Sequence, residues 1–282
     1  QDIPVAFITK IKIEKIQLSD RLFKEILEYI TQLPGLDTLE LSELRVAKEQ
    51  LEQLLKARPF KVLLVTEVRL TNKSTGLFRS LVRGTRNFNG MTEVSIHDCD
   101  INPSTLHDLD KELHSGHLFT DSLRRLTIRN CHLMDEGIEQ IFKVAGLRHV
   151  DHLDLSENGF SATLLIPLIK NHRLTNLKSL SVSYNFDVGL FLQELQSQKL
   201  RCLSLEELDV SNCNLTVEVV DSLSNSVSLS QLRKLVMDKN PEAGPAVIDA
   251  LSTHWELGSL KYLSIKECNI VIGHLSKLSL SP

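Results

Sequence analysis

One pattern recurs ten times along this chain and limits its fold more than any other feature. It is L-x-x-L-x-L-x-x-N/C-x-L, with any aliphatic residue allowed at the Leu positions. Copies begin at Ile8, Leu36, Phe60, Met91, Leu123, Val150, Leu177, Leu205, Leu232 and Leu260, at a mean spacing of 28 residues. The clearest are LRRLTIRNCHL (123–133), VDHLDLSENGF (150–160), LEELDVSNCNL (205–215) and LKYLSIKECNI (260–270). A period of this length means that each unit packs on its neighbours and cannot bury its apolar side alone. The composition agrees: 51 of 282 residues are Leu, while aromatics make up only 5%. The repeats also replace the one or two ordinary domains that the length alone suggests with about ten stacked units.

Each part of the template has a physical reason. In LRRLTI, Leu126 and Ile128 alternate with polar residues, as in a short strand with one buried face. At the ninth position the chain leaves the strand, and a small polar side chain can bond backbone groups of the turn. Asn158, Asn185 and Asn240 stand there, as do Cys99, Cys131, Cys213 and Cys268. Four of the five cysteines therefore read as free, buried and structural. The odd count and the lack of a CxxC pair argue against a disulfide framework.

Between the strands lie stretches with helical period. Ile138, Ile141, Phe142 and Ala145 share one face, as do Leu165, Leu168 and Ile169 after Ser161, an expected N-cap. Asn102-Pro103 predicts a further helix start. The expected fold is an α/β solenoid, a horseshoe with parallel strands on the concave face and helices on the convex face. It forms a single domain over 1–282, with 271–282 as a C-terminal cap.

Ribonuclease-inhibitor-type leucine-rich repeats resemble these units in length, in Cys or Asn at the turn, and in the full helix. LDLSENGF and LDVSNCNL are similar in particular to the C-terminal repeats of NOD-like receptors. That resemblance implies a non-catalytic interaction module that senses a protein ligand or folds back on a nucleotide-binding domain. On this reading the chain is a piece of a longer cytoplasmic protein involved in innate immunity. Tropomodulin-like cytoskeletal scaffolds and the GTPase-activating protein for Ran carry similar repeats and stand as alternatives.

The repeats depart from the template in places. SYNFDVG in the seventh and DKNPEAG in the ninth lack the aliphatic after the Asn, and Pro241 and Pro245 bracket an altered turn. Phosphate-loop, dinucleotide, zinc-protease and serine-hydrolase motifs are absent, so no catalytic, cofactor or metal residues are assigned. His107, His114 and His117 beside Asp108 and Asp110 lack metal-site spacing and read as solvated helix and loop. No apolar run is long enough to span a membrane. The net charge of −4 disfavours nucleic acid as a partner.

The strand face, where template positions three, five, seven and eight point outward, is either a solvated sheet of self-neutralising charges or a protein-recognition interface. His97, Arg125, Arg129, His152, Asp154, Asp209, Lys234 and Tyr262 lie on it, with charges of alternating sign. Val62 and Leu64 are apolar at two of these outward positions; they are either covered or a contact patch. A basic run with Arg79, Arg83 and Arg86 on one helical face, opposite Leu77, Phe78, Leu81 and Val82, is either a plain solvated surface or a site for an anion, nucleic acid or acidic partner.

Overall fold

The computed structural model describes residues 7–71, 76–85, 90–107, 122–144, 146–196, 205–224, 229–253 and 259–274. The chain divides into two compact units, Gln1–His149 and Val150–Pro282. Each is an α/β leucine-rich-repeat solenoid built on a parallel sheet.

In the first unit five strands pair in parallel: β1 (Lys10–Glu14), β2 (Thr38–Ser42), β4 (Val62–Thr66), β6 (Glu93–His97) and β7 (Arg125–Arg129). Two short strands, β3 (Arg45–Val46) and β5 (Arg69–Leu70), form a second parallel ladder. The second unit pairs β8 (His152–Asp154), β9 (Ser179–Ser181), β10 (Glu207–Asp209), β11 (Lys234–Val236) and β12 (Tyr262–Ser264), each in register with the next. All ten main strands open on the third residue of a template copy.

The alternation of each strand decides which face is core. Leu39 and Leu41, Leu63 and Val65, and Leu126 and Ile128 are buried between half-buried or exposed neighbours. Each fully buried aliphatic side chain contributes roughly 1.5–3 kcal/mol. Helices close the other side: α1 (Asp20–Gln32), α2 (Lys48–Lys56), α3 (Leu77–Thr85) and α4 (Met134–Val144) in the first unit. In the second they are α5 (Leu165–Lys170), α6 (Val188–Gln196), α7 (Val217–Ser224) and α8 (Ala243–Thr253). Ser19 caps α1 by accepting the Leu22 N–H at 3.3 Å. Arg58 donates to the Leu33 and Pro34 carbonyls just past the other end of that helix. On α3, Leu77, Phe78, Leu81 and Val82 are buried, as the period predicts.

Two expected helix starts differ in detail. Asn102 does cap, accepting the Ser104 N–H at 3.0 Å, but the element it opens is a single 3-10 stretch, Pro103–Leu106. Ser161 makes no N-cap bond; its hydroxyl instead meets the Asp187 carboxylate at 2.7 Å, and a 3-10 turn over Ala162–Leu164 precedes α5. Residues 275–282, most of the expected cap, lie outside the described residues, as do Ala145, Cys202, His114 and His117.

Candidate protein-interaction surfaces

The turn that ends each strand begins from one backbone conformation throughout. Template position eight lies in the left-handed region in all ten repeats, from Lys15 at φ 57° to Glu267 at φ 55°. Each is a non-glycine residue, and the conformation lets backbone pairing continue past the strand. Glu43 N donates to the Thr66 carbonyl (2.9 Å), Asp98 N to Arg129 (3.1 Å) and Lys239 N to Lys266 (2.8 Å). Position eight is also an expected interface position, and nothing in its residue types signals this strain.

Where position nine is Asn or Cys, it satisfies what the turn leaves open. Asn185 Oδ1 accepts the N–H groups of Asn158 (3.2 Å) and Phe160 (3.3 Å) from the preceding repeat. Its amide donates to the carbonyls of Leu155, Val182 and Ser183. Asn240 repeats the set one step on, accepting from Cys213 and Leu215 at 3.1 Å each. A cysteine does only the donating half: Cys213 Sγ reaches the Val182 and Ser211 carbonyls. Burial pushes the thiols of Cys99 and Cys213 up to about 11 and that of Cys131 to about 12, and raises Cys268 as well. None of the four forms a disulfide among the described residues, and all are buried.

On the strand face of the first unit, much of the charge is neutralised locally. Lys10 and Lys12 bracket Glu40 at 2.5 and 3.4 Å, and Lys12 also meets Glu14 at 2.5 Å. The Lys10 hydrogen bond holds the Glu40 carboxyl below its usual range. Val62 and Leu64 are half-buried. His97 Nε2 shares a 2.6 Å hydrogen bond with Ser95 Oγ, and Arg125 and Arg129 are exposed in register beside Glu93 and His97. The Arg125 N–H donates to the Thr92 carbonyl at 3.0 Å, while its guanidinium makes no hydrogen bond or ion pair among the described residues.

The second unit's face is a serine–carboxylate lattice. Asp154 accepts from both the N–H and the hydroxyl of Ser156, and Asp209 does the same for Ser211 at 3.0 and 2.7 Å. These two carboxylates hold their own turns as well as facing outward. His152 is half-buried, Lys234 lies 3.9 Å from Glu207, and Tyr262 is half exposed at 50%. The eight residues expected on the strand face thus lie on strands in two separate sets, one per unit. His97, Arg125 and Arg129 form the first, and His152, Asp154, Asp209, Lys234 and Tyr262 the second.

Elsewhere, Arg79 turns onto the His107 carbonyl and Arg83 is half-buried, while Arg86 lies outside the described residues. His107 pairs with Glu136 at 2.6 Å. No group of His, Cys, Asp and Glu among the described residues could hold a metal ion. No helix among them is long and apolar enough to cross a membrane.

Repeat geometry of this kind defines a leucine-rich-repeat domain, a fold that typically serves protein binding. A family model described as Leucine Rich Repeat matches residues 204–226. Among solved structures the chain is similar to one in the crystal structure of the Rad7 and Elc1 complex in yeast. The two are 17% identical with a TM-score of 0.54, over 87% of this chain and 67% of that one. At that identity the likeness is one of fold.

Proposed function

We propose that this chain is the ligand-sensing and autoinhibitory repeat segment of a NOD-like innate immune receptor, acting in the cytoplasm without catalysis. The observation that carries the reading is the strand face of the first unit. There the exposed Arg125 and Arg129 stand beside the Ser95–His97 pair and the half-buried Val62 and Leu64, on one parallel sheet. Apolar area rimmed by exposed charge suits a protein ligand, or a nucleotide-binding module of the same polypeptide, whose docking biases that module between closed and open states. The four buried thiols, none of them in a disulfide among the described residues, suit a reducing compartment.

The first test is the full-length coding sequence. A phosphate-loop NTPase module on the N-terminal side is expected, and a full-length protein without one overturns the reading. In the full-length protein, Arg125→Glu with Arg129→Glu should raise basal nucleotide exchange without ligand by about tenfold, the effect of losing roughly 1.4 kcal/mol of closed-state coupling. Unchanged exchange in a folded variant would remove autoinhibition through this face.

A further inference from the structure

The second unit exposes its apolar side chains away from its strand face. Among the described residues, seven large apolar side chains of this unit are exposed, and six of them fall in one stretch of the repeat. Tyr184, Phe186, Leu190, Val217, Val271 and Ile272 all occupy template positions eight to fourteen, between the end of a strand and the first turn of its helix. Successive repeats pair in register, so this stretch forms a continuous edge along the unit. Repeat seven contributes most to it, because its register slips. Phe186 stands one place before the position where Phe160 and Leu215 are buried, Asp187 takes that position, and Val188 fills the core instead. The slip leaves Phe186 62% exposed and Leu190 57% exposed, with Val217 of the next repeat at 48%.

These side chains are held on ordered backbone. Phe186 N donates to the Phe160 carbonyl and its own carbonyl accepts from Ala162, both at 2.9 Å. Tyr184 N donates to Ser211, and its hydroxyl meets Lys239 Nζ at 3.0 Å. An aromatic fixed before a partner arrives costs little entropy on binding, which is why such residues dominate interface energetics.

Charge names the partner's chemistry. The same stretch carries Glu157, Asp187, Glu218, Glu242 and Glu267 against a single cation, Lys239. That balance accounts for the whole excess of 15 acidic over 11 basic residues in 150–282, whereas 1–149 carries 21 of each. We infer that the turn edge of the second unit is a docking site for a basic amphipathic polypeptide segment. Its apolar side chains pack on Phe186, Leu190 and Val217, and its Lys or Arg residues meet Asp187, Glu218 and Glu242. An acidic edge repels nucleic acid and anionic lipid, so a protein segment is the occupant.

The probe is a labelled peptide with leucine at i, i+3, i+4 and i+7 and lysine on the opposite face, read by fluorescence anisotropy against the whole chain. Its counterpart has glutamate in place of each lysine. The lysine peptide should bind at least about tenfold more tightly than the glutamate peptide, and more weakly as salt rises. Phe186→Ser with Leu190→Ser should cost about tenfold or more with the circular dichroism spectrum unchanged, since both side chains are exposed. Glu218→Lys with Glu242→Lys should invert the preference. Arg125→Glu with Arg129→Glu should leave peptide binding unchanged, which separates this edge from the strand face of the first unit. Equal binding of the two peptides, no binding, or indifference to the Phe186 and Leu190 substitutions would overturn the inference.

Discussion

The two units solve one problem, how to turn the chain out of a strand without orphaning its amides, by different means. In the second unit the solution is a side chain. Asn158, Asn185 and Asn240 are buried in the turn, and Asn185 and Asn240 each tie two N–H groups and three carbonyls. In the first three repeats of the first unit the same position holds Ile16, Leu44 and Val68, whose side chains can bond nothing. There the backbone pairs with itself: Leu18 N donates to Arg45, Arg45 N to Ile16, Arg69 N to Leu44 and Thr71 N to Val46. That is the second ladder, and Leu44 and Val68 beneath it are 1% exposed. Main strands are five residues long throughout the first unit and three residues long throughout the second.

The largest expected effect comes from breaking the side-chain solution. Asn240→Ala strands the Cys213 and Leu215 amides and three carbonyls in a buried turn. After relaxation this should cost about 3–5 kcal/mol in urea denaturation. The reciprocal change, Val68→Asn, buries an amide where the backbone is already paired and should also destabilise, by about 1–3 kcal/mol. A stabilising Val68→Asn, or an Asn240→Ala loss below about 1 kcal/mol, would break the contrast between the units.

Next is the packing of one repeat on the following turn. A Cβ on Gly244 would lie 2.0 Å from the Cys268 carbonyl oxygen and 2.6 Å from its Cβ. Neither atom can swing aside as a flexible side chain would, so Gly244→Ala should cost about 2–3 kcal/mol. Gly90 in the first unit has nothing within 4 Å of such a Cβ, and Gly90→Ala should change stability little. Equal losses at the two sites would mean that the last turn of the second unit tolerates movement.

Leucine phase exposed the strands and the core in the sequence, because burial at fixed spacing leaves a periodic trace. The Asn and Cys turns were legible for the same reason: a special residue recurs at one position. The second ladder left no such trace, since Arg45 and Arg69 pair through backbone atoms that every residue owns. The structural duty of Asp154 and Asp209 was hidden as well; a carboxylate bonded to a serine two residues on looks in sequence like any outward charge. The turn edge gave one signal, the displaced Phe in SYNFDVG, which reads as a defect in the template until its exposure is known.

A smaller and pH-dependent effect belongs to both units. The buried thiols titrate at about 11–12 in the folded chain against 9.0 as their ordinary value. Folding therefore favours the protonated thiol. Its contribution is fully present below about pH 9 and is lost as pH rises from there through the folded values of about 11–12. Denaturation midpoints should be flat on this account from about pH 7 to 9 and fall above it. Replacing Cys99 and Cys131 with Ala should flatten part of that fall. The native chain should also protect all four thiols from alkylation at about pH 7.5, and rapid labelling of any of them would contradict their burial.

The smallest effect tests what the two units share. Ten left-handed residues at position eight, only two of them Asn, carry strain that a template of this regularity does not remove. A non-glycine residue loses about 1 kcal/mol there, and Asn less because its side chain tolerates the region. Glu67→Asn should therefore raise stability by a few tenths of a kcal/mol up to about 1 kcal/mol. Lys239→Asn should gain less, because it discards the bond from Lys239 Nζ to the Tyr184 hydroxyl. Measured side by side in urea, the two separate backbone strain from side-chain use. If Glu67→Asn destabilises instead, the carboxylate of Glu67 holds its turn, and the conformation shared at position eight has residue-specific causes.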